Sequence, residues 1–309
     1  MPARAFRIGT RGSPMALYQA RLVRDRLLAA HPALAEPGAL EIVPIRTTGD
    51  REQKRLLAEI GGKGLFTKEI EEALLDRRVD FAVHSLKDME THLPDGLVIG
   101  CVLPRDDPRD AFLSRDGVRL MDLPRGARIG TASLRRAAQL LQLRPDLAIA
   151  PMRGNVGTRL DKLVAGETDG LVLALCGLER LGHVALVTEI LDADRMLPAV
   201  AQGALAIECR SDDDEVKQIL APLHHADSAA CVTAERALLA ALDGSCRTPI
   251  AALARITGGQ LALDAILLSP DGKSERRGSV SGAPTDADTL GANLGAELRR
   301  GAGPEFGLA

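Results

Sequence analysis

Short apolar runs alternate with segments of helical periodicity along the first two thirds of this 309-residue chain. The runs typical of β-strands lie near residues 5–9, 41–47, 80–84, 97–103, 127–131, 147–152 and 170–175. Between the first two, Ser13 and Pro14 supply a capping residue and a proline at the first helical position. Helical spacing recurs in Leu65–Leu75, Ser133–Leu143 and Asn155–Ala165. This alternation predicts an α/β fold.

The pattern changes from about Pro249 onward. Strand-like runs at 250–257, 261–268 and 276–281 are separated by turn sequences, and a helical segment follows near 285–300. Closely spaced strands with short turns favour antiparallel pairing. The sequence therefore predicts a separate C-terminal α+β unit with a small antiparallel sheet.

A weak internal repeat divides the α/β part in two. Ile8–Ser13 resembles Ile129–Ser133, since each ends a strand and opens a helix, and Asp80–His84 resembles Asp169–Leu173. Repeated units of this kind predict two related α/β lobes. In open α/β sheets ligands bind at the carboxyl ends of strands. A cleft between the lobes would therefore collect the residues that follow predicted strands, namely Arg11, Asp88, Ser133, Arg135, Arg136 and Arg153.

The charge balance excludes several classes of partner. The chain has 39 basic and 42 acidic residues and a formal net charge of −3, so no bulk attraction to nucleic acid or anionic lipid is expected. The longest apolar run, Gly170–Leu178, is about half the roughly 18 residues of a membrane helix. The N-terminus lacks the apolar centre of a secretory signal, which favours a cytoplasmic location.

Five cysteines stand at positions 101, 176, 209, 231 and 246, with no Cys-x-x-Cys pair. The odd number and the spacing argue against disulfides and zinc sites. Cys101, Cys176 and Cys209 lie in apolar stretches and are expected to be buried. Cys246 differs because it lies in the turn sequence Asp-Gly-Ser-Cys-Arg, where the adjacent Arg247 favours the thiolate.

Several cations follow predicted strands and helix starts. A helix N-terminus that exposes backbone N–H groups is a ready anion site, although ordinary capping explains either Gly-Thr…Ser turn alone. The cluster formed by Ser133, Arg135, Arg136, Arg153, Arg159 and Arg180 strengthens the anion interpretation. Arginine binds carboxylates through two parallel hydrogen bonds, so the cluster indicates a ligand with several carboxylates rather than a solvated face.

Polar residues end the strand that leads into His84-Ser85-Leu86-Lys87-Asp88. Asp88 beside Lys87 is expected to stay ionised, and such a carboxylate can hold a developing cation or move a proton. His84 is interpreted as a structural histidine.

The glycine-rich segment Gly61–Phe66 follows a charged stretch. It indicates either a mobile lid, with Lys63 able to close over an anion, or an ordinary surface loop.

Ten segments together resemble the porphobilinogen deaminase family, also called hydroxymethylbilane synthases. They are, in order, IGTRGSPMALYQA, TTGD, GGKGLFTKEIE, DFAVHSLKD, RDDPRDAF, IGTASLRRAAQL, RGNVGTRLDKL, CGLERLG, LPAVAQGALAIECR and GSCRTPI. The resemblance implies an enzyme that joins four porphobilinogen molecules head to tail into hydroxymethylbilane and releases ammonia. It also implies a dipyrromethane cofactor joined by a thioether to Cys246. Asp88 is implied to face pyrrole nitrogens and to stabilise cationic intermediates.

The resemblance also implies an anion-binding set and a domain plan. The binding residues implied are Arg11, Ser13, Lys63, Lys87, Thr131, Ser133, Arg135, Arg136, Arg153, Arg159, Arg180 and Gln202, and no metal is implied. The fold implied has two lobes like those of periplasmic binding proteins, with mixed sheets, plus the C-terminal α+β domain. Lobe 1 would contain residues 1–103 and 198–221, lobe 2 residues 104–197, and the C-terminal domain residues 222–309. The chain is expected to act as a monomer that hands its product to the next enzyme.

The chain departs from the family pattern at a few positions. Glu59 stands where many relatives have lysine, and Met89-Glu90 replaces the usual Val-Pro. Ala201 and Ala251 stand where glycine is common, and Cys176 where alanine is common.

The strongest alternative hypothesis is a two-lobed protein that binds small anions. A thiol hydrolase is less favoured because no motif places a base near Cys246.

Overall fold

The structure, a computed structural model, describes residues 5–51, 64–243 and 248–308. These divide into two compact units. The first unit contains Met1–Arg105 and Ala204–Ala229, and the second contains Asp106–Gly203 and Ala230–Ala309. Lobe 2 and the C-terminal domain of the sequence-based plan thus fall in one unit, and the boundaries of that three-domain plan stay a prediction.

The strands are β1 Phe6–Arg11, β2 Leu40–Ile45, β3 Phe81–Ser85, β4 Leu97–Val102, β5 Asp110–Ser114, β6 Arg128–Gly130, β7 Ala148–Ala150, β8 Gly170–Ala174, β9 Glu189–Leu191, β10 Leu205–Arg210, β11 Ile250–Thr257, β12 Gln260–Leu268 and β13 Glu275–Gly282. The α-helices in the described residues are α1 Pro14–Ala30, α2 Thr48–Arg51, α3 Lys68–Leu75, α4 Leu134–Leu143, α5 Val156–Val164, α6 Leu175–Arg180, α7 Asp214–Leu220, α8 Ala226–Ala241 and α9 Ala287–Arg299.

The first unit is built on a five-stranded mixed sheet with the order β2-β1-β3-β10-β4. β1 is parallel to β2 and β3, and β10 runs antiparallel to β3 and β4. Because successive side chains of a strand point to opposite faces, Phe81 packs under α1 while Ala82 packs under α3. Both faces of this sheet are therefore buried by helices.

The second unit contains a sheet of the same plan, with the order β7-β6-β8-β5-β9. β6 is parallel to β7 and β8, and β5 is antiparallel to β8 and β9. Each position in this sheet corresponds to one in the first sheet, which confirms the two related lobes inferred from the repeat. In both sheets the antiparallel strand comes from a distant part of the chain.

The C-terminal sheet is antiparallel and has the order β11-β12-β13. Its three strands lie within one residue of the predicted runs. Within the second unit it packs on α4 through Ala138, Leu253 and Ile266, and Gln142 Nε2 donates to Glu275 Oε2 at 2.6 Å. The predicted α/β class, with two mixed-sheet lobes and a small antiparallel C-terminal sheet, is confirmed.

The helix starts follow the capping residues found in the sequence. Ser13 accepts a hydrogen bond from the backbone N–H of Ala16, and Asn155 accepts one from Thr158. Thr48 opens the short helix α2. Capping side chains thus fix where α1 and α5 begin, at the ends of β1 and β7.

Ala201 has a left-handed backbone, with φ of +59°. A β-carbon is disfavoured there, whereas glycine adopts this conformation freely. Ala201→Gly is therefore expected to raise the free energy of unfolding by about 0.5–1 kcal/mol. Urea unfolding monitored by circular dichroism measures the change. Ala199→Gly, at a position outside the left-handed region, is the control and is expected to lower it; a loss of stability in Ala201→Gly would contradict the argument.

Candidate active site

The first unit places Arg11 and Asp88 at one edge of its sheet. Arg11 is the last residue of β1, and Asp88 ends the short 3-10 turn Leu86–Asp88 that follows β3. β1 and β3 are parallel, so their carboxyl ends lie at the same edge. The two residues therefore stand where the sequence placed them, after neighbouring strands, and their roles stay predictions.

The Asp88 turn is held by its first residue. Leu86 is fully buried, and its backbone N–H donates to the carbonyl of Ala204 at 3.1 Å. Asp88 itself is exposed and Lys87 is half-buried. The buried leucine fixes the backbone while the carboxylate two residues later faces solvent, an arrangement suited to meeting a ligand.

Arg11 and Ser13 lie just before the start of α1. Ser13 is the N-cap of this helix. The guanidinium carbon of Arg11 lies 4.2 Å from the centre of the Phe66 ring, a cation–π contact that orients the charged group. A cation and a helix N-terminus thus lie within three residues, which favours an anion at this edge.

The second unit repeats this arrangement with different residues. Ser133 is the N-cap of α4, and its backbone N–H donates to Thr131 Oγ1 at 3.1 Å. Arg153 and the cap Asn155 follow β7, which is parallel to β6. Thr131, Ser133 and Arg153 therefore lie at one edge of the second sheet.

Arg135 and Arg136 lie in a buried cluster around Asp110. Arg135 Nη2 bonds Asp110 Oδ2, and Arg136 Nη2 bonds Asp110 Oδ1, each at 2.7 Å. Gln202 Nε2 donates to the same Oδ1 at 2.9 Å. Burial alone raises the pKa of the Asp110 carboxyl, but the two guanidinium groups outweigh it and hold the pKa below its ordinary value. Two cations and one anion leave this cluster positively charged.

Two buried guanidinium nitrogens in the second unit have no hydrogen-bond partner in the described part of the chain. They are Arg135 Nε and Arg153 Nη1. An unsatisfied buried donor is costly, and a carboxylate is the acceptor that guanidinium groups bind best. The donor set is thus suited to carboxylate groups.

Arg180 and Arg159 are engaged with the protein itself. Arg180 Nε donates to Asp106 Oδ2 and its Nη2 to the carbonyl of Gly203, both at 2.9 Å. Arg159 Nε donates to the carbonyl of Gly154 at 2.8 Å. Both arginines were predicted to bind substrate carboxylates. A substrate carboxylate would have to share these cations with the acceptors they already have.

Lys63 and Cys246 lie outside the described residues. Gly64 is the first described residue after Lys63, and its backbone N–H donates to Glu90 Oε1 at 2.9 Å. Glu90 is one of the departures from the family pattern. This hydrogen bond joins Gly64 to the chain two residues past Asp88.

The four cysteines in the described residues are buried, which confirms the prediction for Cys101, Cys176 and Cys209. Burial raises the pKa of Cys101 to about 12 and that of Cys209 to about 11. A thiol with so high a pKa is a poor nucleophile, because the thiolate is the reactive form.

The sequence did not single out Asp110 or Glu208. Asp110 opens an apolar strand, where a charged residue indicates a buried partner, but the spacing of residues in the sequence does not show which partner that is.

Among the described helices, none has the length and apolar character that a bilayer span requires.

Comparison with known proteins identifies the family. Residues 6–218 match the family model described as "Porphobilinogen deaminase, dipyromethane cofactor binding domain", and residues 229–300 match "Porphobilinogen deaminase, C-terminal domain". The chain is 52% identical over 298 residues to porphobilinogen deaminase of Sorangium cellulosum, which covers 95% of this chain and 98% of that relative. It is 51% identical over 305 residues to the chloroplastic porphobilinogen deaminase of Oryza sativa subsp. japonica, covering 97% and 85%.

Likeness among solved structures is weaker. A TRAP periplasmic solute binding protein from Desulfovibrio salexigens matches 72% of each chain at 12% identity with a TM-score of 0.44, too low to support an argument. The family models, by contrast, span nearly the whole sequence. The chain belongs to the porphobilinogen deaminase family.

Proposed function

We propose that this chain is a porphobilinogen deaminase, which joins four porphobilinogen molecules head to tail into hydroxymethylbilane with loss of ammonia. The observation that carries the proposal is the match of residues 6–218 and 229–300 to the two domains of this family. The anion-binding alternative would use the same cations. It explains neither the C-terminal family match nor the exposed Asp88.

The cofactor of this reaction is a dipyrromethane, and the donor set in the second unit supports its binding. When bound, this group supplies the primer to which the first substrate ring is joined. Arg153 and Arg135, with their unpaired buried nitrogens, would bind its carboxylates, and Thr131 and the cap residue Ser133 would complete the anion site. Cys246 would attach it through a thioether.

Asp88 would act on positive charge. An ionised carboxylate held at the end of a fixed turn stabilises a cation that develops on a pyrrole ring, and it accepts a hydrogen bond from a pyrrole N–H. Because the turn is fixed by buried Leu86, the carboxylate needs little reorganisation when charge develops. This is how preorganised groups lower a barrier.

The remaining cations would hold the growing chain. Each pyrrole carries two carboxylates, so every addition brings about two negative charges, and each charge-assisted hydrogen bond contributes about 1.5–3 kcal/mol. Arg11, Ser13 and Lys87 would bind from the first unit. The other residues proposed for this role are Lys63, Arg136, Arg159, Arg180 and Gln202. Tethering keeps each successive acceptor at the site, which makes later additions effectively intramolecular.

The setting of the enzyme is also part of the proposal. It would act as a monomer in the cytoplasm and pass its product to the next enzyme, with no nucleic-acid or membrane partner. The net charge of −3 supports the absence of bulk attraction to anionic polymers.

The proposal is tested by the intact mass of the purified protein beside Cys246→Ser. We expect an excess equal to two linked pyrrole units in the native chain, present on purification or gained on incubation with porphobilinogen. Cys246→Ser should lack it because no thioether can form. Cys176→Ala is the matched control and should keep it, since Cys176 is buried. A native chain that neither carries nor gains the excess would overturn the proposal.

A further inference from the structure

Three titratable side chains are buried together in the first unit beside the strand that leads to Asp88. His84 lies on β3 and Glu208 on β10. Glu71 lies on α3, which packs against both strands. All three are less than 9% exposed. None of them belongs to the anion-binding set or carries a role in the proposed reaction.

His84 and Glu208 form an ion-pair contact between neighbouring strands of the sheet. His84 Nε2 lies 3.0 Å from Glu208 Oε2. Within the described residues, neither oxygen of Glu208 has a hydrogen-bond partner, and His84 Nε2 has none either. A carboxylate removed from water must be compensated, and the His84 imidazole is the group that lies close enough to do so. The contact therefore joins β3 to β10 through side chains as well as through the backbone ladder.

Glu71 is the third buried group of the cluster. Burial raises the pKa of its carboxyl above the ordinary value; the Thr67 side chain and His84 oppose this, while the negative charges of Glu208 and Glu90 add to it. An ionised Glu71 places a negative charge between helix and sheet, close to the carboxyl of Glu208.

Other charged groups lie nearby and pair mainly with one another. Arg210 Nη2 bonds Asp213 Oδ2 at 2.5 Å and lies 3.8 Å from Asp80 Oδ1. The backbone N–H of Arg7 donates to Asp80 Oδ2 at 2.7 Å. The terminal nitrogens of Arg210 and the carboxylates of Asp80 and Asp213 are engaged with one another and with the backbone, and Arg210 Nε is the one nitrogen of this guanidinium without a hydrogen-bond partner in the described residues.

The cluster is continuous with the Asp88 turn. His84 pairs with Ala206 and Ser85 with Leu205 in the β3–β10 ladder, and the next bond is that from Leu86 N–H to the Ala204 carbonyl. We propose that His84 is a positioning residue: its contact with Glu208, next to the buried carboxyl of Glu71, locks the end of β3 against β10 and so fixes the Asp88 turn. Ionisation of Glu71 loosens this lock. The inference deepens the proposed function and rests on it.

The first test compares Glu71→Gln with the native enzyme across pH. Glutamine keeps the shape of the protonated acid and cannot ionise, so the variant should hold kcat to higher pH, with KM for porphobilinogen unchanged. Glu72→Gln, on the exposed side of the same helix, is the matched control and should follow the native profile. If the profile of Glu71→Gln coincides with that of the native enzyme, the inference is wrong.

Stability gives a readout that does not depend on turnover. The pKa of Glu71 is raised in the folded state. The stability that this group contributes to the fold is therefore fully present below its ordinary pKa, and it is lost as pH rises through the pKa of the folded state. Urea unfolding from mildly acidic to alkaline pH should show this loss in the native chain and less of it in Glu71→Gln. Parallel curves for the two proteins would contradict the buried ionisation.

The second test addresses His84 directly. Glu208→Gln and His84→Gln should each lower kcat by about tenfold with little change in KM, because each leaves one partner unpaired. The double variant places two neutral amides where the ion pair was, and it should recover most of the lost kcat. A double variant as slow as the slower single variant would overturn the positioning role.

The two proposals fail separately. If the native enzyme releases no ammonia from porphobilinogen, the proposed function is wrong. If the native enzyme does release ammonia, two results together would show that only the inference about His84 is wrong. They are a pH profile of Glu71→Gln that matches the native profile, and a double variant that is as slow as the slower single variant.

Discussion

Asp88→Asn is expected to keep the fold and the attached cofactor while turnover falls by about 100-fold or more. The side chain is exposed at the end of a turn fixed by buried Leu86, so the substitution disturbs no packing. Asparagine has nearly the same shape but no charge. The substitution therefore removes the charge that stabilises a cation but leaves a side chain of nearly the same shape at the same place.

The measurement is ammonia release from porphobilinogen together with intact mass and circular dichroism. Asp95→Asn makes the same charge change at an exposed carboxylate seven residues further along, and it should leave the rate near the native value. Native turnover in Asp88→Asn would remove Asp88 from the catalytic role.

Asp110→Asn is expected to lower the free energy of unfolding by about 3–5 kcal/mol, the usual effect of removing one partner of a buried ion pair. Arg135 and Arg136 are both buried and both bond this carboxylate at 2.7 Å. An amide cannot neutralise two guanidinium groups. The variant would hold two buried cations without a counterion.

Urea unfolding measures this loss, and intact mass shows whether the cofactor still attaches. Asp264→Asn is the control, because Asp264 pairs with Arg255 at the surface, where ion pairs contribute little. A loss in Asp110→Asn no larger than that of the control would show that the cluster is not held by charge.

Local features of the fold could be predicted because short-range chemistry encodes them. The caps Ser13, Ser133 and Asn155 accept hydrogen bonds from the turns that follow, and β11–β13 lie within a residue of their predicted runs. The antiparallel strands β5 and β10 could not be placed in this way. Their partners are distant in sequence, and no periodicity within six residues records which neighbours a strand will have.

The same limit applies to the candidate site. Asp88 and Arg153 could be singled out because they follow strands, and strand ends carry ligands in such sheets. The hydrogen bonds from Arg135 and Arg136 to Asp110 could not be predicted, because they depend on side chains 25 and 26 residues apart in the sequence meeting in the interior. Burial and pairing of charges are properties of the packed structure.

The place of β10 in the first sheet has a consequence for synthesis on the ribosome. β10 lies between β3 and β4, yet it is made about a hundred residues after them. Until Leu205–Arg210 emerge, the nascent N-terminal part must present unpaired backbone along β3 and β4, which is a template for wrong pairing. The first unit therefore cannot complete its folding in the order of translation, and the growing chain depends on protection from aggregation until two thirds of it has been made.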